Sequence, residues 1–184
     1  MIDPVFISTG SLFAGLLLIV SALHKVRHLD DFRRAIRGYE LVPTALEAVP
    51  VFILPLVEAL AGLGLLVPAT AAVAAYPAAG LFIAYGFLIA VSLYRGKLEI
   101  DCGCHFGQRE SRLSFWMIPR NLVLALLALL PVVPVVERSF VLADFINIAG
   151  GVLFLGLLYM CLEELLSNRS HYLNYILKKE HLHG

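Results

Sequence analysis

ALAGLGLLVPATAAVAAYPAAGLFIAYGFLIAVSLY, from Ala59 through Tyr94, contains no Asp, Glu, Lys, Arg or His. A helix crosses the hydrocarbon core of a bilayer with roughly 20 apolar residues, so the run exceeds one crossing. Pro68 divides it, and the few residues around that proline carry no charge. So short a link predicts an antiparallel hairpin of two spans, residues 44–67 and 69–94. Pro50 and Pro55 fall inside the first of them. Membrane helices tolerate such prolines where neighbours satisfy the freed carbonyls.

The rest of the chain fits the same class. Of its 184 residues, 60% are hydrophobic and 15% charged, against about 25% charged in an ordinary soluble domain. Mean hydropathy is +0.85. Further spans are predicted at residues 4–24, 119–136 and 141–162. Pro4 suits a helix start, where a missing N–H costs nothing. Ahead of His24 the only charged side chain is Asp3, so residues 5–23 are expected to be a retained first span rather than a cleaved signal peptide. Residues 25–41 place Val26, Leu29, Phe32, Ile36 and Tyr39 at steps of three and four, with Arg27, Arg33, Arg34 and Arg37 between them. That pattern fits an amphipathic helix lying in the membrane interface, and equally a helical loop packed on the other spans. Residues 163–184 read as a polar, surface-associated helical tail. The expected architecture is all-α: one integral membrane domain, 1–184, of about five transmembrane helices.

Every lysine and arginine except Arg138 falls on the side shared by the end of span one, the end of span three and the end of span five. The positive-inside rule puts that side in the cytoplasm and the N-terminus outside. Formal net charge is zero, and no basic–aromatic pattern points to nucleic acid. The expected surroundings are membrane lipid.

Three cysteines, Cys102, Cys104 and Cys161, are too few and too uneven in number for a disulfide-stapled scaffold. Cys102-Gly103-Cys104 sits in the longest polar stretch. A disulfide across so small a ring is strained and labile, which suits exchange. Gly103 supplies backbone freedom. Lys97, Arg109, Arg112 and His105 would favour a thiolate. A redox dithiol is one reading; a soft-metal site of Cys102, Cys104 and His105, with Cys161, is another; two thiols without chemistry is the third. Cys161 is a candidate resolving thiol on the same side, or a packing residue. Glu58 is the one charged residue deep in a predicted span, placed somewhat past mid-membrane toward the outer side. It calls for a partner, a water-filled pocket or a proton, or serves as an interhelical hydrogen bond. His24 and Lys25 close span one, where Lys25 either snorkels to the headgroups or binds an anion. Arg120 and Asn121 open span four with the same two readings. Asp144 and Asn147 anchor the outer end of span five. No metalloprotease helix motif, phosphate loop or serine-nucleophile elbow is present. No cofactor is fixed by these residues; a quinone among the spans is the one left open.

Ser21 to Lys25, the segment from Tyr39 to Pro43, Glu58, Cys102-Gly103-Cys104 with Phe106-Gly107, and Arg120-Asn121 occur in an order and spacing that cover most of the chain. In these features the sequence resembles the MauE group of methylamine-utilisation proteins, within the DoxX-like membrane proteins. The family motif usually reads Cys-Gly-Cys-Phe-Gly; here His105 stands before Phe106. The resemblance implies an inner-membrane accessory factor in maturation, disulfide formation or export of the methylamine dehydrogenase small subunit, acting with a thioredoxin-like MauD-type partner. A non-catalytic scaffold for that partner and a soft-metal carrier are the rival readings. Only the redox reading makes the chain a thiol–disulfide oxidoreductase. The substrate's disulfides form outside the cytoplasm, whereas the charge pattern puts Cys102 and Cys104 inside. Three resolutions stand open: transfer of reducing equivalents across the membrane, a loop reaching an outer cavity, or a structural motif.

Overall fold

A computed structural model of the chain describes residues 3–39, 43, 46–96, 115–135 and 138–182, with side chains described as far as residue 165. The elements are α1 (Pro4–Arg27), α2 (Leu29–Tyr39), α3 (Ala48–Leu66), α4 (Pro68–Tyr94), α5 (Met117–Leu129) continuing into a 3₁₀ turn (Leu130–Val132), and α6 (Leu142–Leu182). No strand occurs among the described residues. Four helices are long and apolar enough to cross a membrane, namely α1, α3, α4 and the first 24 residues of α6; the segment Met117–Val132 is apolar but shorter.

Local chemistry sets the helix ends. Asp3 caps α1 by accepting from the Val5 N–H at 2.9 Å, with Pro4 in the first turn. Pro50 lies in the first turn of α3, where its absent N–H leaves no bond unmade, while Pro55 is inside the helix. Val67 alone joins α3 to α4, extended as the residue before a proline prefers. Thr70 Oγ1 donates to the Gly64 carbonyl at 2.9 Å and the Val67 carbonyl at 3.2 Å, satisfying the end of α3. Pro131 turns the end of α5 into the 3₁₀ segment, so the expected fourth span of 119–136 is a helix from Met117 followed by a single tight turn.

Helix α1 is the centre, packing on α3 most extensively and touching α2, α4, α5 and α6. The face that α4 buries is built of alanines, Ala71, Ala74, Ala75, Ala78 and Ala79. Small residues let membrane helices approach closely, which is where their packing energy comes from. Outward lie Phe52, Leu56 and Leu60 of α3, Phe87 of α4 and Phe154 of α6, all more than half exposed. Water would not tolerate so continuous an apolar surface; lipid does. The protein is a helical membrane bundle.

Two elements had open readings in the sequence. Helix α2 buries Phe32, Ala35 and Ile36, and Phe32 and Ile36 form a cluster with Val51 of α3. Of the two readings of this segment, packing on the other spans is the one seen. Arg37 Nε also reaches Glu47 Oε2 at 2.6 Å. The fifth span and the helical tail expected after it run together: α6 is one helix of 41 residues, about 62 Å at 1.5 Å per residue. A polar sequence does not end a helix unless it brings a breaker, and no Gly or Pro stands between Gly156 and Gly184.

The starts of α1 and α6 are tied by Arg138. Its guanidinium donates to both oxygens of Asp144 at 2.8 and 2.9 Å and to both oxygens of Asp3 at 3.1 and 3.2 Å. Asp144 also accepts from the Val141 N–H at 2.9 Å, so it anchors its helix by an ion pair rather than through the interface. Hydrogen bonds from Arg138, and then from the Val5 N–H, hold the Asp3 carboxyl below its ordinary 3.8. The Arg138 guanidinium is correspondingly raised, by Asp144 first and Asp3 second. The lowered group binds fewer protons in the folded state, so stability rises with pH in its window. Its contribution is complete above 3.8 and is lost as pH falls through the lower folded value. Acid titration of thermal unfolding should show this loss in the parent chain and not in Arg138→Ala.

Candidate functional site

Glu58 stands near the middle of α3, ten residues from its start at Ala48, which is about 15 Å at the helical rise. The predicted span began at residue 44, whereas the helix begins at Ala48. Glu58 is completely buried, and Lys25 is 1% exposed.

Lys25 lies in the last turn of α1. Helical side chains lean toward the N-terminus, so from this position the lysine reaches back into the bundle. Its Nζ donates to Glu58 Oε1 and to Tyr85 Oη of α4 at 3.1 Å. Snorkelling to the headgroups is therefore not what Lys25 does: a buried carboxylate within reach outbids the interface. Tyr85 Oη donates to Glu58 Oε1 at 2.6 Å. Ser21, one turn before Lys25 on the same face of α1, donates to the same oxygen at 3.2 Å. The ammonium also lies 5.2 Å from the centre of the Phe32 ring of α2 and 4.6 Å from that of Tyr85, within cation–π range. Glu58 Oε2 is buried and has no hydrogen-bond partner among the described residues. Leaving such an atom unmatched costs about 1–3 kcal/mol, and more for a charged group.

Three helices thus meet at one carboxylate, and a fourth, α2, covers its lysine partner. Taking two charges out of water costs several kcal/mol per ion, recovered only where geometry and extra hydrogen bonds are good. Here Lys25, Tyr85 and Ser21 supply those bonds on one oxygen. The arrangement fixes the register of α1, α3 and α4 and holds an ionisable group at membrane depth.

The other expected site residues scatter. Cys102, Cys104 and His105 lie outside the described residues. Cys161 is an exposed free thiol on α6 and takes no part in the Glu58 cluster. His24 is half-buried with its ring tilted against His28, centroids 4.8 Å apart. Arg120 pairs with Glu163 of α6 and lies 5.7 Å from the Tyr159 ring, so it joins α5 to α6. Asn121 is buried, and its amide donates to the Met117 carbonyl at 2.7 Å. Among the described residues no group of three or more His, Cys, Asp or Glu is placed to hold a metal ion. Sequence reasoning missed Tyr85 and the pairing of Lys25 with Glu58. A usable signal existed: the only acid deep in a span needs a base, and Lys25 is the first lysine or arginine in the chain, at the end of span one.

The family model of methylamine utilisation protein MauE matches residues 3–134. The chain belongs to the MauE family. It is 34% identical over 160 residues to methylamine utilization protein MauE of Methylophilus methylotrophus, covering 86% of this chain and 84% of that one. The MauE protein of Paracoccus denitrificans is 35% identical over 129 residues, covering 70% and 69%. That of Methylorubrum extorquens is 36% identical over 137 residues, covering 72% and 74%. No solved structure matches the chain. The MauE match contains Ser21, Lys25, Glu58 and Tyr85 as well as Cys102 and Cys104, and it stops before α6.

Proposed function

We propose that this MauE-family protein serves methylamine utilisation as an accessory factor of the bacterial inner membrane, maturing the methylamine dehydrogenase small subunit by thiol–disulfide exchange at Cys102 and Cys104. The observation that carries the reading is the family match, which takes in the helical bundle and the cysteine pair together. The bundle supports it by offering a frame held by packing and by the buried Lys25–Glu58–Tyr85 bonds rather than by its own disulfides.

The exchange balances without an outside atom. Two thiols of the client reduce the Cys102–Cys104 disulfide, the client gains a disulfide, and a thioredoxin-like MauD-type partner takes up the electrons from the resulting dithiol. A strained ring of this size has an oxidising potential that favours donation of its disulfide.

Replacing both Cys102 and Cys104 by Ser is the test. The expected outcome is loss of correctly disulfide-bonded small subunit, with the membrane protein itself present at parental level. Normal subunit maturation in that variant would overturn the thiol reading and leave the protein as a scaffold for its partner.

A further inference from the structure

The end of the bundle where α4 stops and α5 starts carries a group of exposed aromatics. Tyr94, the last residue of α4, is 94% exposed; Phe115 and Trp116, just ahead of α5, are 74% and 44% exposed. Their backbones are held in place all the same. Leu93 and Met117, one residue inward from Tyr94 and Trp116, form a buried cluster with Ile89, so the two aromatics stand at one level. Gly96, with φ at +70°, ends α4 directly after Arg95. Its N–H donates to the Leu93 carbonyl at 3.1 Å, a helix end that glycine adopts without strain.

Two observations say what surrounds these rings. The first is length. Helix α4 has 27 residues, about 40 Å at the helical rise against a hydrocarbon core of about 30 Å, so its last residues emerge from the hydrocarbon. The second is the contrast between two arginines. Arg120 lies three residues past Met117, about 4.5 Å deeper; it is mostly covered and is paired with Glu163. Arg95 is exposed and has no ion pair among the described residues. An arginine at membrane depth needs a partner from the protein, whereas one at the surface is matched by water and by lipid phosphate. The boundary between those two surroundings falls at Tyr94 and Trp116. Tyrosine and tryptophan, each an apolar ring with one polar atom, suit that boundary.

We propose that Tyr94, Phe115 and Trp116 form an interfacial anchor seated in the phospholipid headgroup layer, with the Arg95 guanidinium on lipid phosphate. The charge complement is the phosphate itself, so no particular headgroup is required. The chain leaves the described bundle at Gly96 and returns at Phe115. Both points, which flank the segment with Cys102 and Cys104, are thereby held at the membrane surface. The inference stands on the bundle and is independent of thiol exchange.

Trp116 is the only tryptophan in the chain, so its fluorescence reports this level directly. The full chain is placed in phosphatidylcholine liposomes whose acyl chains carry bromine either near the ester end or near the methyl end. The ratio of shallow to deep quenching should exceed one for Trp116. It should also exceed one for Tyr94→Trp in a Trp116→Phe background, because the two positions are level. Phe154→Trp in that background is the contrast. Phe154 is exposed and lies 12 residues into α6 from Leu142, about 18 Å at the helical rise, so there the ratio should fall below one. Deep bromine quenching Trp116 more than shallow bromine, or neither quenching it, overturns the proposal. Should the background variant not insert, the parent chain decides alone, since it carries the native reporter.

Discussion

Lys25→Met lowers the unfolding free energy of the bundle by about 3–5 kcal/mol, the loss typical of stripping one partner from a buried ion pair. Methionine is unbranched like lysine and only one heavy atom shorter, so the effect is chiefly electrostatic and not a cavity. Glu58 is then a carboxylate with no exposure, held by Tyr85 and Ser21 alone. Removing the whole polar set tells the charge effect from a packing effect. In the triple variant Lys25→Met, Glu58→Met, Tyr85→Phe no buried charge is left unmatched, and only the half-buried Ser21 hydroxyl loses its acceptor. Its stability should return to within about 1 kcal/mol of the parent or exceed it, as apolar replacements of buried ion pairs do. Unfolding by a denaturing detergent, followed by circular dichroism, measures both. A triple variant as unstable as the sum of its single changes would show that the three residues are not coupled.

Most of the membrane bundle was readable before its structure, because burial in lipid leaves an unambiguous mark on composition. The uncharged run from Ala59 to Tyr94 and Pro68 within it predict the α3–α4 hairpin, and one residue joins those helices. Glu58 stood out for the same reason, as the one acid in an apolar span. What the pattern could not supply was its partner. Lys25 is 33 residues away in the chain and Tyr85 is 27, and only the packing of α1, α3 and α4 brings them together. Amphipathic spacing likewise told that α2 has an apolar face, but not that Val51 rather than lipid covers it. Polarity marked where α6 leaves its apolar stretch, a property that decides where a helix leaves the membrane and not where it stops. The chemistry of Cys102 and Cys104 rests on their spacing and on the family, since they lie outside the described residues.

Gly62 faces the backbone of α1 at close range, and Gly62→Val should cost at least about 3 kcal/mol, at the upper end of overpacking losses. A Cβ on Gly62 would stand 2.8 Å from the Gly15 carbonyl oxygen, 2.8 Å from Ile19 Cγ1 and 3.2 Å from the Ile19 nitrogen. A Cβ on Gly15 would meet the Gly62 carbonyl at 2.9 Å. Two of the three atoms facing Gly62 are backbone, so relief requires α1 and α3 to move apart. That movement would also stretch the bond from Ser11 Oγ to the Leu65 carbonyl, 3.1 Å, and withdraw Ser21 and Lys25 from Glu58. The cost of the clash and the cost of loosening the ion pair therefore add. Even Gly62→Ala should be clearly destabilising, because alanine already brings the offending Cβ. Gly80 and Gly156 provide the contrast, with nothing within 4 Å of an added Cβ. Alanine there should be neutral or stabilising by up to about 1 kcal/mol, the helix-propensity gain over glycine. Equal effects of Gly62→Ala and Gly156→Ala in the same unfolding assay would mean that α1 and α3 are not in contact at this crossing. The ion pair they carry would then lose the frame that keeps Lys25 turned inward.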